Sequence, residues 1–461
     1  MGIAVSDWRL ARTVSLAGEL GVVSGTAIDS VLARRLQSGD STGDFRRALG
    51  NFPNQEIVTR ILNKYFIDGG KAEDQPYRPI PKLTVEQKRE SSELLMVASF
   101  CEVWLAKEGN AGLVGINFLE KIQMATVPSI LGAILAEVDY VIMGAGLPRE
   151  IPAVIKALAT GAAASVKVDV KDATHDYRSE ITPTDFVPAS LFPRTAPKFL
   201  AIISSDVLAS YLSRDEVSKP DGFIIEGPTA GGHNAPPRGQ LKLDEVGEPI
   251  YGDRDAPNLA KIRAFGLPYW MAGGYATPAA VRQALELGAE GIQAGTIFAL
   301  AQESGFSDAI RSEILTSLRN GALNVKTDVL ASPTGFPIKI MNLAGTTGSP
   351  EIFNAREKLC DLGYLRTPVE MSDGVVAYRC SSEPEEKFLR KGGVESDIEG
   401  RKCLCNGLMA NIGLGQHRST GYEEPALITL GSDLSGAKEL LSNHPGGWSA
   451  KDAVQYLLSM L

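Results

Sequence analysis

The chain has 461 residues, 44% hydrophobic and 22% charged, with a formal net charge of -9. That length allows a large core and more than one structural region. The acidic balance argues against nucleic acid, whose phosphates require a basic surface, and more weakly against an anionic membrane surface. No stretch approaches the ~20 apolar residues that cross a bilayer. The opening MGIAVSDWRLAR lacks the apolar segment of a secretory signal. Five cysteines suit a reducing cytoplasm better than a disulfide framework.

Short apolar runs alternate with helical patterns over residues 1–320. Leu20–Gly25 (LGVVSG) reads as a buried strand, and Ala27–Gln37 follows with helical spacing. Residues 39–90 are polar and read as a helical insertion. Leu94–Phe100 (LLMVASF) fits either a strand or the start of the helix Cys101–Gly109. Six further runs read as strands: Leu113–Glu120, Val138–Gly146, Phe199–Ser205, Gly222–Gly227, Pro268–Gly274 and Gly291–Thr296. Runs this apolar suit a parallel sheet buried on both faces. Helices are predicted over Pro148–Ala159 and Thr277–Gly288, the second with Thr277 as N-cap, Pro278 in the first turn and Gly288 closing. Residues 171–196 read as an irregular excursion. Such alternation implies an α/β fold, either a doubly wound sheet or a closed (β/α)8 barrel, and about seven strands is close to a barrel's eight. Residues 321–461 read as a C-terminal lid or extension packed on the barrel.

Two places carry chemistry. The strands Pro268–Gly274 and Gly291–Thr296 end in Gly273-Gly274 and Gly295-Thr296, each before a helix start. Glycine lets backbone N–H groups approach an anion, and a helix N-terminus favours negative charge. Paired on the last two strands, such turns form the phosphate cup of many barrels; singly, they merely end strands. The other place is GFIIEGPTAGGHNAPPRG, Gly222–Gly239, where Glu226 ends a strand and His233 sits in a loop of glycines and prolines. Gly227, Gly231 and Gly232 leave room for a flat ligand. A neutral imidazole there is able to take a proton near neutral pH, although a lone loop histidine is often structural. His175, His417 and His444 lie in polar or terminal stretches.

Taken together, these segments resemble the nitronate monooxygenase (2-nitropropane dioxygenase) family, whose members are barrels that bind flavin mononucleotide. The match lies in Ala230-Gly231-Gly232-His233, Ala272-Gly273-Gly274, Gly295-Thr296 and the GIN strand ending at Asn117. The resemblance implies that His233 is the catalytic base. It implies that Asn117, Gly231, Gly232, Ala272, Gly273, Gly274, Gln293, Gly295 and Thr296 bind FMN. FCEVWLAKEGN, VGINFLEKIQ and GRKCLCNGLMANIGLGQ are similar to the trans-acting enoyl reductases of polyunsaturated fatty-acid and polyketide synthases. That likeness implies an enoyl chain on acyl carrier protein, with NAD(P)H as electron donor. Family members begin with a strand ending in a Pro-Met element, which is missing here or ends at Met1. Pro228-Thr229 also depart from many members.

Three functions stay open on the sequence. They are oxidation of small nitronates by O2, reduction of enoyl thioesters, and non-catalytic binding of a phosphate ligand by the barrel. A homodimer is an open assembly, and neither nucleic acid nor membrane is expected as a partner. Cys360, Cys380, Cys403 and Cys405 crowd one region, but they form no CxxC pair, so metal binding and buried thiols both remain readings.

Overall fold

The structure is a computed structural model that describes residues 2–461. Its strands in chain order are β1 (Gly21–Ser24), β2 (Val114–Leu119), β3 (Tyr140–Gly144), β4 (Ala164–Val168), β5 (Tyr177–Ile181), β6 (Lys198–Ile203) and β7 (Gly222–Glu226). They continue with β8 (Tyr269–Ala272), β9 (Gly291–Gln293), β10 (Asn324–Asp328), β11 (Ile338–Asn342), β12 (Thr367–Glu370) and β13 (Val376–Arg379). Seven of them form one parallel sheet in the order β1-β2-β3-β6-β7-β8-β9. Sheet order follows chain order throughout. A doubly wound sheet reverses direction at a switch point, so this is barrel winding.

The sheet is a half-barrel: β9 does not pair with β1. Residues Gly2–Asp7 run beside the gap. Ser24 N donates to Ser6 O (2.8 Å), and Gly305 N, beyond β9, donates to Val5 O (2.8 Å). No strand is assigned among the described residues of this segment.

The strands are buried on both faces, as their composition predicts. Ile142, Leu200, Ile224 and Ala272 pack in one small cluster with Val22, Tyr140, Ile202 and Trp270. The alternate residues Val141, Met143, Phe199, Ala201, Phe223, Ile225 and Met271 belong to the main core. A period of two along β7 therefore puts Gly222, Ile224 and Glu226 on one face.

Leu94–Phe100 is helical, inside Arg89–Lys107, a helix with a long buried stretch. Its apolar run is that of a buried helix, which periodicity does not distinguish from a strand. Helix Gln123–Leu135 crosses it closely: a Cβ on Gly132 would lie 1.9 Å from Met96 O. Thr277 caps the helix Pro278–Glu286, its hydroxyl accepting from Ala280 N (3.2 Å). Two helices, Asp44–Leu49 and Gln55–Tyr65, lie within residues 39–90.

One expectation needs correcting. Residues 171–196 are not wholly irregular, because Tyr177–Ile181 forms β5, paired antiparallel with β4. Its sequence YRSEI buries only Ser179 and Ile181, a half-buried alternation too polar to stand out beside the apolar strands.

Beyond residue 320 come two antiparallel hairpins, β10–β11 and β12–β13, and several helices. This region shares the core of the sheet. Trp448 is fully buried, and its Nε1 donates to Ile297 O (2.8 Å). Ser449 and Asp452 make a capping box at the last helix, Ala450–Leu458.

Candidate functional site

A cavity of about 680 Å³ opens at the C-terminal ends of the sheet strands, the edge where parallel α/β sheets bind ligands. Strand parity places three polar side chains on its inward face. Asn117 shares a face with Gly115 on β2, and Glu226 shares a face with Ile224 on β7. Glu226 pairs with Ala272, which pairs with Gln293, so the three form a row across β7, β8 and β9. Ala272, between them, is buried in the small cluster with Ile224. Asn117, Glu226 and Gln293 all line the cavity.

The loop after β7 roofs this floor. Gly231, Gly232 and His233 line the cavity. The C-terminal region fixes the loop by strand-like bonds: Lys339 N donates to Gly232 O (2.9 Å) and Asn234 N to Pro337 O (2.9 Å). His233 Nε2 lies 2.7 Å from Ser332 Oγ, which lies 2.8 Å from Thr334 Oγ1. Burial pushes the His233 imidazole down from its ordinary 6.5 to about 4. It is therefore neutral at physiological pH and already engaged at one nitrogen.

Glu226 is the residue that motif reading missed. Burial lifts its carboxyl from the ordinary 4.5 to about 7. No side-chain hydrogen bond or ion pair to that carboxyl occurs among the described residues. The signal was present in GFIIEG: an acidic residue in phase with the inward face of an apolar strand. Tyr364 and Cys405 reach the cavity from the C-terminal region, and Asp169 from the β4 side. Behind Tyr364, its hydroxyl donates to the buried Asp29 and lies 2.6 Å from Ser30 Oγ. Burial raises Asp29 to about 6.

Ala272, Gly273, Gly274, Gly295 and Thr296 stand outside the cavity wall. Gly273 and Gly274 have left-handed backbones (φ +81° and +83°), which favour glycine. Among the described residues no hydrogen bond engages the N–H groups of Gly274 and Gly295. The segment Thr429–Asp433 lies across these turns. Gly232 N donates to Thr429 Oγ1 (2.9 Å), Gly431 N to Thr296 Oγ1 (2.8 Å) and Ser432 N to Thr229 O (3.0 Å). Asp433 Oδ2 would be 3.7 Å from a Cβ on Gly274.

Among the described residues no group of three or more His, Cys, Asp or Glu is placed to hold a metal ion. Burial raises the thiols of Cys380 to about 11 and Cys405 to about 12, and Cys403 well above its ordinary value.

Fold and site define a barrel-type α/β protein with a ligand cavity at the strand C-termini. Residues 149–334 match the family model described as nitronate monooxygenase, and the chain resembles that family. It is 37% identical over 103 residues to a nitronate monooxygenase of Pseudomonas aeruginosa, covering 22% of this chain and 26% of that protein. It is 25% identical over 186 residues to (3aS,4S,5R,7aS)-5-hydroxy-7a-methyl-1-oxo-octahydro-1H-indene-4-carboxyl-CoA dehydrogenase of Rhodococcus jostii, covering 39% and 47%. The chain thus matches less than half the length of each. A nitroalkane oxidase structure from Streptomyces ansochromogenes superposes over 100% of this chain and 93% of that one, at 14% identity and a TM-score of 0.45.

Proposed function

We propose that the chain is a flavin-dependent oxidoreductase. The observation that carries this reading is the inward row of Glu226, Ala272 and Gln293, with Asn117 on the same floor, under a glycine loop that admits a flat ring. The cavity residues suit a flavin ring, while the glycine turns expected to hold its phosphate stand outside the cavity wall. Asn117 and Gln293 present amides to the polar edge of a flavin, and Gly232, where a Cβ would meet nothing within 4 Å, leaves space at its face. The N–H groups of Gly274 and Gly295, unengaged among the described residues, suit a phosphate. Asp433 flanks the same turns and opposes that charge. A bound flavin supplies two-electron transfer to or from the substrate.

The residues facing such a substrate are mostly apolar: Leu147, Ile202, Leu208, Phe336, Leu365 and Leu408. This wall suits an apolar acyl chain better than a small nitronate. Reduction of an enoyl thioester by NAD(P)H is therefore the first reading, with acyl carrier protein as the natural bearer of the chain. The Rhodococcus relative, named for a carboxyl-CoA substrate, lends support. Oxidation of a nitronate by O2 is the second reading, favoured by the family match over residues 149–334.

The test is spectroscopic, then kinetic. Purified protein should be yellow, with absorbance near ~450 nm, and release FMN on denaturation. An enoyl thioester should drive NAD(P)H consumption. O2 uptake with a nitronate and none of the former would select the second reading. A colourless chain that retains no added flavin would overturn both.

A further inference from the structure

We propose that Glu226 is the group that exchanges a proton with the substrate in this cavity, and that His233 is a fixed neutral group positioning the ligand. The inference rests on the oxidoreductase reading above.

Geometry separates the two residues. Glu226 is the last residue of β7, held by a strand buried on both sides, and its side chain lies on the inward face with Ile224. It lines the cavity floor beside the small Ala272. Its carboxyl is unengaged by any described side chain. His233 instead has Nε2 tied to Ser332, which is tied in turn to Thr334. A proton-transfer group works best with its pKa near the working pH. Burial brings the Glu226 carboxyl to about 7 and takes His233 to about 4, so the carboxyl is the better matched of the two.

The other charged or titratable groups on the wall are Glu120, Lys121, Asp169, Tyr364 and Cys405. Glu120 Oε1 accepts from Gln123 Nε2 (2.9 Å), and its Oε2 is ion-paired with Lys121 Nζ at 3.4 Å. Asp169 is exposed and lies within reach of the Gln123 amide. Tyr364 faces Asp29. Tyr251 feels the Glu226 charge, and its hydroxyl donates to Ala235 O (3.0 Å).

The step is a proton transfer. In the reductive direction the carboxyl O–H bond breaks and a C–H bond forms at the substrate α-carbon. A bound flavin would supply the hydride that the β-carbon needs. The resulting carboxylate is reprotonated from solvent. With a nitroalkane the transfer runs in reverse: the carboxylate removes the α-proton, and the carbon's electron pair passes into the nitro group.

The experiment compares wild type, E226Q, E226D and H233N as holoenzymes, with crotonyl-CoA and NAD(P)H, and with nitroethane and O2. E226Q should keep its flavin and lose 10²–10⁴-fold in turnover, the usual worth of a positioned acid or base. In the reductive assay the fall in rate as pH rises through about 7 should vanish in E226Q and persist in H233N. E226D should recover part of the rate. Independently of activity, ¹³C-carboxyl NMR should show one glutamate titrating near 7 in wild type and missing in E226Q. E226Q at wild-type turnover, or no such titration, would overturn the assignment. A flavin-loaded wild type that turns over neither substrate would instead overturn the functional reading, and this assignment with it.

Discussion

His233 Nε2 sits 2.7 Å from Ser332 Oγ, a bond that joins the loop after β7 to the C-terminal region across 99 residues of sequence. Ser332→Ala removes the partner of a largely buried imidazole nitrogen, which costs about 1–3 kcal/mol. The expected outcome is a lower urea midpoint with flavin absorbance retained. An unchanged midpoint would show that the bond carries no stability.

The same histidine predicts a pH dependence. Its folded pKa of about 4 lies below its ordinary 6.5. As pH falls between those values the unfolded chain takes up a proton that the folded chain refuses, so stability drops. At about 1.4 kcal/mol per pKa unit the loss approaches about 3 kcal/mol. H233N should lose less than wild type between pH 7 and pH 4.5, measured by urea melts at each pH.

Glu226 acts in the opposite direction. Its folded pKa of about 7 lies above the ordinary 4.5, so ionisation burdens the folded state as pH rises through that window. Partial exposure screens the full effect, and about 1–3 kcal/mol is expected. E226Q should match wild type near pH 4 and be the more stable protein at pH 8. Equal melts at both values would contradict the burial of this carboxyl.

The glycine turns separate charge from size. At Gly295 a Cβ meets nothing within 4 Å and the backbone is not left-handed, so G295A should retain flavin. G295D places a carboxylate beside the free N–H groups and should lose it. D433N removes the opposing charge flanking Gly274 and should bind FMN more tightly, read by fluorescence quenching on titration. If all three bind alike, the phosphate lies elsewhere.

Gly231 and Gly232 respond differently to alanine. A Cβ on Gly231 would lie 2.8 Å from Gly431 N, against backbone that has little room to move, whereas one on Gly232 meets nothing. G232A bears only the left-handed backbone penalty, about 1–2 kcal/mol. G231A should loosen Thr429–Asp433 and speed proteolysis there. Equal cleavage of the two variants would refute the clasp.

The strands and their parallel pairing were legible in the sequence, because burial on both faces demands continuous apolar runs and alternation with helices demands crossovers; the choice between a doubly wound sheet and barrel winding came from the observed strand order. Leu94–Phe100 was ambiguous because an apolar run does not record its own period. The β4–β5 hairpin was missed because β5 is half polar. The glycine turns and the histidine loop announced themselves by residue type. The sequence left Glu226 as a strand end and the residues beyond 320 as an extension. Tertiary structure decided that the last 140 or so residues supply Ser332, Tyr364 and Thr429 to the loop and cavity. It also decided how buried each ionisable group is. Burial comes from residues far away in sequence, and desolvation sets whether an imidazole or a carboxyl titrates near neutrality. The local motif fixes which groups are present, and the packing around them fixes which is able to carry a proton.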